Sequence, residues 1–544
     1  MSKKLLFGIE AREKLLKGVR VVEQAVGSTL GPKSSNVAID RPFGPPVVIH
    51  DGVSVSKEID LPDEFENMGA QLVKESAQKT NDSAGDGTTT ATILTEAIVS
   101  EALKNIAAGS NPMILRKGIE QAVSKVVDNL KKMAKPISTN DEIKQIATIS
   151  AQDEEIGGLI SGAIKKLGKG CIITVEESGG TALSIDYKEG MEFNRGYISH
   201  HFITNPETSE VELTDPFIII TDERLSNVQQ FSAILAKIGP IMDDQKRNTL
   251  LIIAEDVTDE FLASMALNKI KGILKCVAVK APEFGDNRKY ILEDIATISG
   301  GNPIFKDAGG DVSNIEEGDL GQASRVVVTK DNTVIIGGKG IKSLIDTRVE
   351  QIKNQIESAE SEFAKEKLQE RLAKLTSGIA VINVGANSEM EMREKKERCI
   401  DAINATKSAI EEGIVPGGET ALLRAAEKTL VVCPDDQGVG VAIVLRACKK
   451  PFERLMTNSG YNSGQMLERL EIHNEIDKCH GLPNAGVDVM DGLIKDMIEA
   501  GIIDPVKVTR CAIQNASSCA IMIMSTDTLI CEEKEPKKEE NGFN

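Results

Sequence analysis

Apolar positions return every three or four residues through the first quarter of the chain, as at Leu15, Val19, Val22 and Val26, so helices are predicted over most of residues 8–134. Two short apolar runs, 36–40 and 46–50, break the pattern, and the turn residues RPFGPP that link them predict a strand hairpin. Helical periodicity resumes from about Phe65 to Leu130, punctuated by SAGDGTTT at 83–90 and by Gly109 to Pro112. Between 190 and 378 the texture changes. Runs such as PFIII (216–220), TLLIIAEDV (249–257) and KCVAV (275–279) alternate with amphipathic stretches, which predicts an α/β domain with a partly parallel sheet. That region ends in a charged segment, 347–375, where Val349, Ile352, Ile356, Phe363, Leu368, Leu372 and Leu375 trace an apolar stripe; a packed helix or helical hairpin is expected rather than a coiled coil. Residues 400–525 read as largely helical, and EEKEPKKEENGFN at 532–544 as a disordered, charged tail.

A helical, then α/β, then helical order fits either domains in series or one helical domain interrupted by an insertion, and composition does not choose. It does exclude several functions. The 544 residues carry 64 basic and 83 acidic side chains, a net charge of −19, which argues against nucleic acid or an anionic membrane as partner. Hydrophobic residues make up 41%, but 13 Phe, 4 Tyr and no Trp leave an aliphatic core and few rings for stacking on bases or sugars. Nine cysteines without a Cys-x-x-Cys pair, and five histidines without His-Glu-x-x-His, give no zinc pattern and suggest free thiols. No targeting segment and no run of about 18 apolar residues is evident, so a cytoplasmic location is expected.

The most informative segment is GDGTTTAT at 85–92, directly before the apolar helical run ILTEAIVSEAL. Glycines admit close approach of backbone N–H groups to an anion, and a helix N-terminus adds unpaired donors and a favourable dipole. Thr88, Thr89 and Thr90 offer hydroxyls to phosphate, and Asp86 offers the hard oxygen that Mg²⁺ prefers. A Gly-rich turn with a threonine cap explains the same residues without a ligand. No Gly-x4-Gly-Lys-Ser/Thr pattern is present, which disfavours a P-loop. TLGPK at 29–33, VPGGE at 415–419 and Asp51 in HDGVSVSKEI are each ordinary punctuation alone and together suggest a pocket.

These segments, with REKKERCIDAINATKSAIEEGIVPGG at 393–418 and DPVKVTR at 504–510, resemble the group I chaperonins, the bacterial and mitochondrial 60 kDa type, from about residue 4 to 526. The resemblance implies a multidomain α+β subunit. A mainly helical equatorial domain would be split between 1–132 and 412–531, and a small α/β intermediate domain between 133–189 and 380–411. An α/β apical domain, 190–379, would be inserted. It implies an ATPase in which Asp86 binds Mg²⁺ and Thr29, Leu30, Gly31 and Pro32 line the nucleotide pocket. Gly52, Gly87, Thr88, Thr89 and Thr90 would hold phosphates, and Gly418, Asn484, Ala485 and Asp504 the base and ribose, with K⁺ as a further cofactor. Asp401 would orient the attacking water, assisted by Asp51. Without the resemblance, Asp401 would read as an exposed helical residue paired with Lys395 or Arg398. Tyr197, Phe202, Leu235, Leu262 and Leu267 would bind non-native polypeptide, although core packing explains the same residues. Heptameric rings, single or double, and a 10 kDa co-chaperonin lid are the implied partners.

Several positions depart from the family pattern. His50 replaces a lysine near the phosphates, Glu419 breaks the third glycine of PGGG, and His201, Ser232 and Ala266 are less apolar than usual. Glu453 and Asn462 stand where a ring-to-ring arginine and glutamate are expected. These departures motivate the alternatives of a passive holdase or scaffold particle with weak ATP cycling; a metabolic ATPase is a further class.

Overall fold

A computed structural model describes residues 3–40, 46–49, 51–168, 171–206, 209–358, 361–376, 378–431, 433, 435–477 and 484–532. The chain forms two compact units. The first takes Met1–Gly162, Glu177–Ala182 and Val384–Asn544, and the second Ala163–Glu176 and Leu183–Asn383.

The first unit is built on long helices, Gly8–Gly27, Glu64–Ala84, Thr88–Ala107, Pro112–Met133 and Val506–Ser525, around one aliphatic core that includes Leu15, Val19, Leu94, Ile98, Leu115, Ile119 and Ile513. Two of them touch backbone to backbone. A Cβ at Gly18 would sit 1.8 Å from the carbonyl oxygen of Glu66, and one at Gly69 would sit 2.2 Å from that of Leu15. Only glycine permits that approach. Helix Thr88–Ala107 buries residues on nearly every side, from Thr88 to Ala102, and so lies at the centre of the unit. Strand Lys3–Phe7 pairs antiparallel with Thr528–Glu532, which ties the two ends of the described chain together. The expected hairpin is present as Val37–Ile39 against Val47–Ile49, register Val37↔Ile49.

The second unit holds a seven-stranded mixed sheet. Phe217–Ile220, Thr249–Ala254 and Lys275–Lys280 are parallel, and their almost wholly buried apolar runs are what a sheet covered on both faces requires. Gly321–Val328, Thr333–Gly338 and Gly190–Phe193 continue it antiparallel. The apolar stripe predicted over 347–375 belongs to a helical pair, Lys342–Ser358 and Glu362–Thr376, with Ile352 and Leu375 buried in the unit's core. The main tie between this pair and helix Gly285–Ser299 is Asp294, which is fully buried and accepts hydrogen bonds from Arg348 Nε at 2.8 Å and from Arg371 at 2.9 and 3.0 Å.

Residues 400–525 are largely helical, as expected, with Ile414–Pro416, Ala485–Asp488, Leu493–Asp496 and Ile503–Pro505 as short two-stranded pieces between the helices. Strands of three or four residues are too brief to show a two-residue period. His200–Phe202 is a single tight helical turn. His50, Cys479 and 533–544 of the tail lie outside the described residues. No helix among the described residues is long and apolar enough to cross a membrane.

Candidate functional site

The segment 84–90 turns sharply between two helices. Gly85 ends Glu64–Ala84 at φ 71°, and Gly87 precedes Thr88–Ala107 at φ 83°. Both lie in the left-handed region, which glycine adopts without penalty. Between them Asp86 is half-buried, with its Oδ1 accepting from the Gly87 N–H at 2.5 Å. The Ser150 hydroxyl is buried near Asp86 without a hydrogen bond of regular geometry among the described residues. Burial, reinforced by Asp51, pushes the Asp86 carboxyl above its ordinary pKa, against the pull of the Gly87 N–H and Ser150.

Asp51 caps helix Gly52–Glu58, accepting from Val53 N at 3.1 Å and Ser54 N at 2.8 Å. Capping fixes the carboxylate's direction. The next residue faces the threonines: a Cβ at Gly52 would come within 2.4 Å of Thr89 Oγ1 and 3.2 Å of Thr88 Oγ1. Thr29 Oγ1 lies 3.4 Å from Thr89 Oγ1. Asn458 Nδ2 holds the loop that follows, donating to the carbonyls of Gly27 at 2.8 Å and Leu30 at 2.9 Å. Pro32 is exposed at its tip.

Leu455 lies under that loop and under the later glycine turn, since side chains built at Gly31 or Gly418 would both meet it, at 2.3 and 4.0 Å. Gly418 also faces Met497, whose N–H donates to the Asn484 carbonyl at 3.1 Å, and Arg424 donates to the Ala485 carbonyl at 2.6 Å. Asp504, on a strand paired to Ile414–Pro416, accepts from the N–H groups of Glu419 and Gly418. Burial first and Asp86 second push its carboxyl up to about 7.

Asp401 lies on helix Glu389–Glu412. The surface pairing that its sequence neighbours allow does not form: Lys395 binds Glu391 at 2.8 Å, and Arg398 pairs with Glu394. Asp401 is instead half-buried. Desolvation, then Asp51, Asp86 and Glu397 in that order, hold its carboxyl well above the usual range. All the residues expected around the nucleotide lie in one unit. Asp51 acts electrostatically on Asp86, both act on Asp401, and Asp86 acts on Asp504.

The donor set suits a polyphosphate carried with a hard cation. Carboxylates whose strongest charged influences are other carboxylates lack positive charge, and threonine hydroxyls beside a helix N-terminus supply anion donors. No group of three or more His, Cys, Asp or Glu among the described residues is arranged to enclose a metal by itself. Asp86 is a protein carboxylate from which magnesium, completed by phosphate and water, would be held. Gly52→Ala should test the cradle. Its methyl group displaces the Thr89 hydroxyl without straining the backbone, and about tenfold weaker nucleotide binding is expected by calorimetric titration, with little change in melting temperature.

The proposed polypeptide residues, in the second unit, are placed less uniformly. Tyr197, Phe202 and Leu262 are buried in the core, Leu235 is partly buried, and Leu267 is exposed. The exposed apolar surface on and just beyond helix Asp259–Ile270 is carried by Leu267, Ile270 and Ile273, at 56, 79 and 62% exposure. Sequence reasoning missed Ile270 and Ile273, whose exposure breaks the helical stripe. It also missed Ser150, which carries no local signal, and gave Glu419 no role.

A helical unit formed from both ends of the chain, with an acidic phosphate cradle and an α/β unit between those ends, is the architecture of a chaperonin subunit. The model of the TCP-1/cpn60 chaperonin family matches residues 22–534, and the chain belongs to that family. The fold is similar to that of the chaperonin gp146 from bacteriophage EL 2 (Pseudomonas aeruginosa), solved in the presence of ATP-BeFx. The two share a TM-score of 0.68 and 22% identity over 97% of this chain and 99% of that one. The chaperonin resemblance seen in the sequence is borne out.

Proposed function

We propose that the protein is an ATP-driven folding chaperone that captures non-native polypeptides, assembles into seven-subunit rings and encloses its client on Mg-ATP hydrolysis. The observation that carries this reading is the gathering of Asp401 with Asp51 and Asp86 beside the Thr88–Thr90 hydroxyls. Magnesium, when bound with the nucleotide, supplies the positive charge these acids lack. Thr88, Thr89 and the first N–H groups of the central helix bind phosphate oxygens. Thr29 to Pro32 and Gly418 enclose the nucleotide, with Asn484, Ala485 and Asp504 on its base and ribose side. Asp401, ionised, accepts a hydrogen bond from the attacking water and orients it towards the γ-phosphorus, while the capped Asp51 keeps that region polar. The division into equatorial, intermediate and apical domains, the use of K⁺ and a 10 kDa lid belong to the same proposal.

Client capture is assigned to the exposed surface of Leu267, Ile270 and Ile273. Ile270→Asp should weaken binding of an unfolded client at least about tenfold without changing ATP turnover, because a charge introduced there is desolvated by any apolar segment. A pull-down of denatured client alongside a phosphate-release assay checks both halves. Glu453 and Asn462 serve their own subunit: Glu453 accepts from Lys450 at 2.6 Å, and Asn462 caps the following helix through Gln465 N at 3.0 Å. Electron microscopy with and without ATP, combined with an assay of ATP-dependent client release, tests the whole reading. A 58.6 kDa monomer, or a particle that never releases its client, would sink it.

A further inference from the structure

We infer that Ser408 and Asn404 are positioning residues for hydrolysis, which fix the height of Asp401 above the turn that carries Asp86. This rests on the nucleotide reading above and deepens it. Asp401, Asn404 and Ser408 follow one another at intervals of three and four residues on helix Glu389–Glu412, a spacing that puts all three on one face. That face meets the end of helix Glu64–Ala84. Ser408 Oγ donates to the Ala84 carbonyl at 2.9 Å, and both residues are buried. One turn earlier, Asn404 fills the space beside Gly85, where an added Cβ would overlap its side chain. One turn earlier again stands Asp401, whose carboxyl is acted on by Asp51 and Asp86.

The last carbonyls of a helix have no intrahelical donor, and Ser408 supplies one to Ala84 from a different element, two residues before Asp86. The turn is held from its other side as well. A Cβ at Gly87 would meet the Val508 side chain, and Ala84, Val508 and Cys511 form a small buried cluster. Helix Val506–Ser525, which carries Val508, also grips the far end of Asp401's helix: Arg510 donates to the Glu412 carboxylate at 2.9 and 2.5 Å, and Lys507 to Glu411 at 2.7 Å. The Asp86 turn and the Asp401 helix are thus joined by two direct contacts and by a shared neighbour. Removing the Ser408 hydroxyl leaves a buried carbonyl unpaired, which the turn relieves by shifting against the helix. An acid that orients water tolerates little of this, since a displacement of about 1 Å costs up to about 100-fold in rate. Ser408 and Asn404 therefore act on hydrolysis through Asp401.

Ser408→Ala and Asn404→Ala should each lower single-turnover phosphate release about tenfold while Mg-ATP affinity stays within about threefold. In an Asp401→Ala background the same substitutions should change the residual rate less than about twofold, because no acid is left to misplace. The test is phosphate release and calorimetric Mg-ATP titration of the full-length wild type, the three single variants and the two double variants, with melting temperatures recorded. Asn404→Ala leaves the Ser408 bond intact and keeps the test available should Ser408→Ala not fold. A loss of at least about fivefold that disappears without Asp401 supports the inference. A smaller loss, an equal loss with and without Asp401, or a matching loss of affinity overturns it. A wild type that does not bind Mg-ATP, or an Asp401→Ala variant that keeps the wild-type rate, would instead refute the nucleotide reading itself.

Discussion

Asp401→Ala is expected to lower steady-state ATP turnover at least about 100-fold while leaving Mg-ATP affinity within about threefold. The split follows from what Asp401 touches. Its strongest interactions are electrostatic, with Asp51, Asp86 and Glu397 in that order. On the proposed role, losing it removes the acceptor that would orient water and leaves the phosphate cradle in place. A neighbouring negative charge also goes, which favours bound polyphosphate slightly and keeps the affinity from falling. Asp401→Asn separates orientation from charge. The amide oxygen can still accept a hydrogen bond from water but carries no charge, so partial activity between wild type and alanine is the expected order. Single-turnover phosphate release beside equilibrium nucleotide binding checks the split. Equal loss of binding and turnover would instead make Asp401 a structural element of the pocket.

That prediction could not have been reached from the local sequence. Lys395 and Arg398, six and three residues before Asp401, offer an ordinary helical-surface reading, and only the fold shows both engaged by Glu391 and Glu394. GDGTTTAT, by contrast, is legible because its chemistry is contiguous: two glycines, one acid and three hydroxyls would meet the same ligand without help from elsewhere. The parallel strands at 217–220, 249–254 and 275–280 were legible because full burial leaves uninterrupted apolar runs. The strands that carry Ala485 and Asp504 are too short to announce themselves. Tyr197, Phe202 and Leu262 show the opposite limit, since an aliphatic or aromatic side chain has the same sequence signature in a core and in a binding groove. Glu419 was visible only as a break in a glycine run, and its inward reach to Thr90 depends on a backbone angle that sequence does not print.

The second large effect concerns stability of the α/β unit. Asp294→Ala is expected to destabilise that unit by about 3–5 kcal/mol, because it leaves one buried and one half-buried guanidinium group facing an empty site. Asp294 is completely buried, Arg371 nearly so, and three charge-assisted hydrogen bonds converge on the one carboxylate. Burial pushes its carboxyl pKa up while Arg371 and Arg348 pull it down. The three donors are the reason to treat the group as ionised at neutral pH. Arg348 keeps a second partner in Glu293 at 2.7 Å, so the larger share of the loss falls on Arg371, whose ion-pair partner among the described residues is Asp294 and which stacks over Tyr290 at 5.1 Å. Because these arginines sit on the helices Lys342–Ser358 and Glu362–Thr376, the pair should loosen first, and amide exchange there should rise before the parallel sheet exchanges. The double variant Asp294→Leu with Arg371→Met removes the central pairing together and should recover part of the loss, since an apolar replacement of a buried ion pair is often neutral. Denaturant unfolding of the single and double variants measures both effects. A single variant within about 1 kcal/mol of wild type would mean that water reaches the arginines and that the triad does not hold the helical pair.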